Sequence, residues 1–171
     1  MTEIGSAIHA AIAAELINPG RRDALDRTRR LLEAARVDAF VDAERVLASA
    51  ARFREFVAAR FAPSRVLVEY PIVHCLEDGR VVRGSIDALL ETERGWIVID
   101  HKSSPRPRSA WTEDALEHSG QLDAYRRALH AAGLSVAECW IHFPVSGGVL
   151  RVAFERSEPN GADYAQRDLF A

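Results

Sequence analysis

Lysine is almost missing from this chain of 171 residues: of its 22 basic side chains 21 are arginine, and Lys102 alone carries an ammonium. Arginine is planar, broad and permanently charged, whereas lysine is a compact point charge whose pKa moves readily on desolvation. The exception sits at the end of Ile97-Val98-Ile99-Asp100-His101-Lys102, two residues after a carboxylate. Cysteine is scarce too. Cys75 and Cys139 have no metal-ligand spacing and build no disulfide framework, so they are expected as buried thiols on strands in a reducing cytosol. No apolar run approaches the ~20 residues of a membrane span, and Met1-Thr2-Glu3 does not begin a signal peptide. The expected setting is cytoplasmic, without a membrane partner. There is no Gly-x-x-x-x-Gly-Lys-Ser/Thr run, hence no nucleotide-driven motor within the chain. A global basic excess, the usual electrostatic footprint of a nucleic-acid binder, is also missing: the net charge is −3.

What is present begins with helix formers. Residues 3 to 60 are rich in Ala, Leu, Glu and Arg, and Asn18-Pro19-Gly20 separates the first helix from a second over about Arg22 to Ala35. A third is expected over Ala43 to Ala59, with Val46, Phe53, Phe56 and Val57 on its apolar side, ended by Ala62-Pro63-Ser64. From Arg65 the texture changes. Val66 to Val73 reads as a strand that Pro71 interrupts or confines to an edge, and Glu77-Asp78-Gly79-Arg80 as a hairpin turn. Val81 to Leu90 and Trp96 to His101 follow as strands, then a helix from Trp111 to Ala132 with Leu122, Tyr125 and Leu129 at helical spacing. Val136 to Pro144 and Val149 to Phe154 are two further strands around Ser146-Gly147-Gly148. Helices, three strands, a helix and two strands predict an α/β sandwich around a mixed sheet. One domain is expected over residues 1–156, with a helical part over 1–62 and an α/β core over 65–156. A flexible tail would occupy 157–171.

Asp87 lies among apolar residues in Gly84-Ser85-Ile86-Asp87-Ala88-Leu89-Leu90, where burying a carboxylate is expensive unless it is paired or binds a metal. Asp100 repeats the situation on the next strand. Hairpin pairing of these strands would bring both carboxylates to one end of the sheet, a hard-oxygen donor set suited to Mg²⁺ or Mn²⁺. Lys102 shares a strand face with Asp100. Arg106 and Arg108 follow directly and are the expected phosphate contacts.

Glu69, Gly84-x-Ile86-Asp87, Asp100-x-Lys102 and Gln121-x-x-x-Tyr125 together resemble the motif series of the PD-(D/E)XK nucleases. The RecB-like branch, found at the C-terminus of AddA and RecB helicase-nucleases, is the most similar. Gly5-Ser6-Ala7-Ile8-His9 resembles the Gly-x-x-x-His helix that carries an upstream metal ligand in that branch. The resemblance spans roughly residues 5 to 145 and keeps the family's order of elements. It implies a restriction-endonuclease-like core, αβββαβ, with a mixed central sheet and an N-terminal helical extension. It implies that Asp87 and Asp100 are metal carboxylates, that the His101 backbone carbonyl completes the site, and that His9 adds an imidazole. Glu69 would bind metal directly or through water. Lys102 would orient or deprotonate the attacking water and offset charge on the phosphate, with Gln121 and Tyr125, one helical turn apart, positioning Lys102 or the DNA. One or two Mg²⁺ or Mn²⁺ ions, DNA exonuclease activity in repair or recombination, and a UvrD/AddA-type helicase partner in cis or in trans complete the implication.

The sequence also departs from the family. Many relatives read Asp-Tyr-Lys-Thr where this chain has Asp100-His101-Lys102-Ser103; a middle residue acting through its carbonyl tolerates the change. Some relatives bind an iron–sulfur cluster, which two widely separated cysteines cannot hold. Apart from His9, the histidines (His74, His118, His130, His142 and the His101 side chain) are expected to be structural or exposed. Gln166-Arg167-Asp168-Leu169-Phe170 resembles the pentapeptide by which bacterial DNA-processing proteins attach to the sliding clamp, with Gln166, Leu169 and Phe170 as contacts. Two rival readings remain: a catalytically silent DNA-binding or interaction module of a helicase-nuclease complex, and a hydrolase of small phosphate esters. Retention of Asp87, Asp100, Lys102 and Gln121 argues against the first, and the lack of a glycine-rich phosphate cradle against the second.

Overall fold

The computed structural model describes residues 3–75, 79 and 81–154, with the backbone alone at Val82. Three helices come first: α1 (Glu3–Ile17), α2 (Ala24–Ala34) and α3 (Ala43–Phe61). The third is opened by Asp42, whose carboxylate accepts from the Arg45 N–H at 2.8 Å, and closes on Ala62 in the left-handed region. The strands β1 (Arg65–Cys75), β2 (Val81–Thr92) and β3 (Gly95–His101) follow, then α4 (Trp111–Ala131), β4 (Val136–Phe143) and β5 (Gly148–Val152). A short 3₁₀ turn, Arg108–Ala110, leads into α4.

The five strands lie in chain order, antiparallel except for β3 and β4, which α4 connects in parallel. This is the mixed α/β architecture expected from the sequence, with helices on both faces. One face carries Leu89, Val98, Ile141 and Phe143 against Trp111, Leu122, Tyr125 and Leu129 of α4. The other carries Ala88, Leu90, Ile97 and Ile99 against Ile8 and Ile12 of α1 and Phe53 and Val57 of α3. Leu122, Tyr125 and Leu129 are buried as their spacing requires, and Val46, Phe53 and Val57 likewise, while Phe56 is half-buried.

One irregularity shapes everything below. Along β1, Leu67 packs on the α4 face and Val68 on the opposite face, yet Tyr70 and Ile72 return to the α4 face. Along β2, Leu89 and Ile86 share that face across Ala88. A strict two-residue alternation would not allow either. Both strands slip at the same level: Val68 pairs with Ala88 and Tyr70 with Ile86, leaving Glu69 and Asp87 between them, and Glu69 has φ of 48°.

Three details differ from the sequence expectation. Cys75 is on a strand but exposed, because β1 is an edge strand, whereas Cys139 is buried on β4. The last strand begins at Gly148 and ends at Val152, so Ala153 and Phe154 fall outside it. The second helix begins at Ala24, with Asp23 in the N-cap position ahead of it. The Pro71 reading as an edge position holds. Glu77, Asp78 and Arg80 of the expected hairpin turn, and the tail with Gln166, Leu169 and Phe170, lie outside the described residues.

Candidate active site

The register of the central hairpin brings the two carboxylates together. Ala88 pairs with Ile99, so Asp87 and Asp100 are the next residues outward on β2 and β3. Both are buried, at 8% and 2% exposure. The Asp87 Oδ2 accepts the His101 backbone N–H at 2.5 Å, which ties the end of β3 to β2 and leaves Oδ1 turned toward His9 Nδ1, 3.5 Å away. His9 is buried on α1, and among the described residues its Nε2 has no hydrogen-bond partner.

Lys102 follows β3 directly. Its Nζ stands 2.7 Å from Asp100 Oδ2 and donates to Gln121 Oε1 at 3.0 Å. The chain of contacts continues along α4. Gln121 Nε2 donates to the Tyr125 hydroxyl at 2.5 Å, and that hydroxyl donates to the Ser85 carbonyl at 2.9 Å. A glycine makes room for this: a Cβ on Gly84 would come within 3.1 Å of the Tyr125 ring. The Ser85 hydroxyl in turn donates to Glu69 Oε2 at 3.1 Å.

These groups face one open cavity of about 640 Å³, lined by His9, Glu69, Asp87, Asp100, Lys102, Gln121 and Tyr125. Every side chain singled out for catalysis is therefore in one place. His101 does not line the cavity; its imidazole is buried behind it, with Nδ1 3.2 Å from His142 Nδ1, and His142 stacks on Phe53. Burial pushes the His101 pKa well below its ordinary value and that of His142 down to about 3. The two rings are thus a neutral pair, one donating and one accepting, packed away from the cavity. Arg106 and Arg108 are outside the cavity. The Arg106 guanidinium is bound to Glu113 and to the buried Asp114, and Arg108 lies over the Trp111 ring at 5.9 Å.

Ser85 was not singled out from the sequence, although it joins two members of the site. Ser6, Ala10 and Ala13 of α1 also line the cavity. With His9 they recur at helical spacing, so a stripe of small residues around a histidine was the available signal.

Burial raises the Asp100 pKa from 3.8 to about 6, against the opposing pull of the Lys102 charge. A carboxylate so placed needs a cation. The donor set suits a hard divalent ion, which requires only one or two carboxylates and keeps several waters. Among the described residues no three His, Cys, Asp or Glu side chains form a complete set by themselves. His9 presents Nδ1 to the Asp87 carboxylate, and among the described residues its Nε2 has no hydrogen-bond partner, so the imidazole is free to offer a lone pair to a cation.

The sequence model of the PD-(D/E)XK nuclease superfamily matches residues 1–168. The chain belongs to that superfamily. No curated protein matches it. PD-(D/E)XK nucleases generally use divalent metals, and in this member His9, Asp87 and Asp100 are the residues that would hold one. Such an ion supplies Lewis acidity toward a phosphate and acidifies bound water.

Proposed function

We propose that the chain is a divalent-metal-dependent deoxyribonuclease of the RecB-like type, hydrolysing phosphodiester bonds in DNA repair or recombination. The observation that carries this reading is the placement of the Lys102 ammonium between the Asp100 carboxylate and the Gln121 amide, in one cavity with Asp87 and His9. Asp87 and Asp100, with His9, would hold one or two Mg²⁺ or Mn²⁺ ions; Glu69 would contribute directly or through water, and the His101 carbonyl would complete the set. Lys102 orients or deprotonates the attacking water and offsets negative charge as it develops on the phosphate. Gln121 and Tyr125 are positioning residues that fix the ammonium through two hydrogen bonds anchored on the Ser85 carbonyl. Water adds to phosphorus and the 3′-oxygen leaves, giving a 5′-phosphate and a 3′-hydroxyl.

Exonuclease action is the preferred mode. The net charge of −3 argues for delivery of DNA by a tether, either a UvrD/AddA-type helicase in cis or in trans or the bacterial sliding clamp bound through Gln166, Leu169 and Phe170. The cytoplasm is its expected setting, with residues 1–156 as the nuclease domain and 157–171 as the tail; among the described residues no helix is long and apolar enough to cross a membrane.

The test is cleavage of end-labelled single- and double-stranded DNA, linear and circular, with Mg²⁺, Mn²⁺ or EDTA. Metal-dependent cleavage that Lys102→Ala abolishes is expected, restricted to linear substrates. Cleavage surviving in a folded Lys102→Ala chain would refute the assignment, and none under any condition would favour the silent module.

A further inference from the structure

A second groove of about 730 Å³ runs along α1. Its walls include Ile4 and Ile8 of α1, Arg45 and Arg52 of α3, Phe40 from the segment before α3, and Ser103. Two of its lining residues are chain neighbours of residues that line the catalytic cavity: Ile8 of His9 and Ser103 of Lys102. Phe40 is 79% exposed, an unusual position for a phenyl ring. Arg45 and Arg52 are exposed and seven residues apart on the helix, about 10 Å along its axis. Several arginines elsewhere are paired, among them Arg29 with Glu44, Arg54 with Glu15 and Arg106 with Glu113. Among the described residues no acid pairs with the side chains of Arg45 and Arg52. The acid in the groove, Asp42, is occupied in capping α3. Among the described residues the buried Ser103 hydroxyl has no hydrogen-bond partner.

We propose that this groove binds the single-stranded part of the nucleic-acid substrate flanking the bond to be cut, a base stacking on Phe40 and two phosphates meeting Arg45 and Arg52. The chemistry selects a single strand. An exposed ring needs an unpaired base face, while two unpaired guanidiniums need anions spaced along a backbone. Ile4, 37% exposed in the same groove, adds apolar surface for a base. The chain, acidic overall, thus has two unpaired cations together in one groove. The proposal rests on the nuclease reading for its substrate but uses none of the residues assigned to catalysis.

The test is fluorescence anisotropy of the full chain with a labelled oligonucleotide, single-stranded or duplex, in EDTA so that no cleavage intervenes. Phe40→Ala should weaken single-strand binding at least about fivefold and leave duplex binding nearly unchanged. Phe40→Trp should retain it. Arg45→Ala with Arg52→Ala should flatten the slope of log affinity against log salt by about 1.4. A bromodeoxyuridine-substituted strand should cross-link to Phe40 on irradiation. Unchanged single-strand affinity in Phe40→Ala, or equal loss on single strand and duplex, would overturn the proposal. So would sedimentation showing that Phe40→Ala dissociates a dimer while leaving DNA binding intact, which would give the groove to a second copy. A native chain that binds through Phe40 yet never cleaves with Mg²⁺ or Mn²⁺ would sink the nuclease reading and leave the groove standing.

Discussion

Asp100 is held at a cost. Its carboxyl sits at 2% exposure, and burial lifts its pKa from 3.8 to about 6, a rise worth on the order of 3 kcal/mol. The folded state therefore prefers the protonated form. The sign follows: the penalty is absent below pH about 4, grows between there and pH about 6, and is fully felt above. Asp100→Asn should accordingly raise the midpoint of thermal unfolding at pH 7.5 while abolishing cleavage, and the gain should vanish at pH 3.5. Melting curves at the two pH values check this; a destabilised variant at pH 7.5 would contradict it. The same proton competes with a metal. Mn²⁺ affinity, read by titration calorimetry, should be level above pH about 6 and fall about tenfold per pH unit below it. A fall setting in only near pH 4 would show that Asp100 is not the competing group.

Among the elements, α4 does two jobs, closing one face of the sheet and presenting Gln121 and Tyr125 to Lys102. Two glycines separate these jobs. A Cβ on Gly148 would come within 1.9 Å of the Trp111 ring, which stacks on Phe143 at the start of α4. Gly148→Ala should thus cost at least ~2 kcal/mol, lowering the melting point by roughly 4–8 °C. At Gly84 the approach is 3.1 Å and the neighbour is Tyr125. Gly84→Ala should leave the melting point nearly unchanged but displace the hydroxyl that anchors Gln121, lowering kcat about tenfold with KM little altered. Equal losses of stability in the two variants would refute this division. The elements were readable because helix periodicity, the Pro71 edge signal and the Asp-x-Lys strand are local patterns. The slip at Glu69 and Asp87 was not, since it shows only in which face each neighbour meets. Nor was the pairing of Arg106 with Glu113 and Asp114, which depends on how the chain turns into α4, and the exposure of Cys75 follows from strand order rather than from its own neighbours.

For the molecule as a whole, the residues proposed to hold a metal, His9, Asp87 and Asp100, are not part of the two large apolar clusters that hold the sheet to its helices. Chelation should leave the fold intact. The melting point in EDTA should match that of the metal-free chain, and Mg²⁺ at a hundred times its dissociation constant should add about 2.7 kcal/mol, or roughly 5–10 °C. Unfolding on chelation would mean that the site is part of the scaffold. A last consequence comes from the lone ammonium. Because Lys102 is the chain's only lysine and its side chain is 18% exposed, an amine-acylating reagent has one side-chain target, already clasped by Asp100 and Gln121. Occupation of Asp100 by a divalent ion should loosen that clasp, so the rate of mass gain at Lys102 should rise with added Mg²⁺. The enzyme can thereby be read by mass spectrometry as its own gauge of metal loading, with no DNA in the tube.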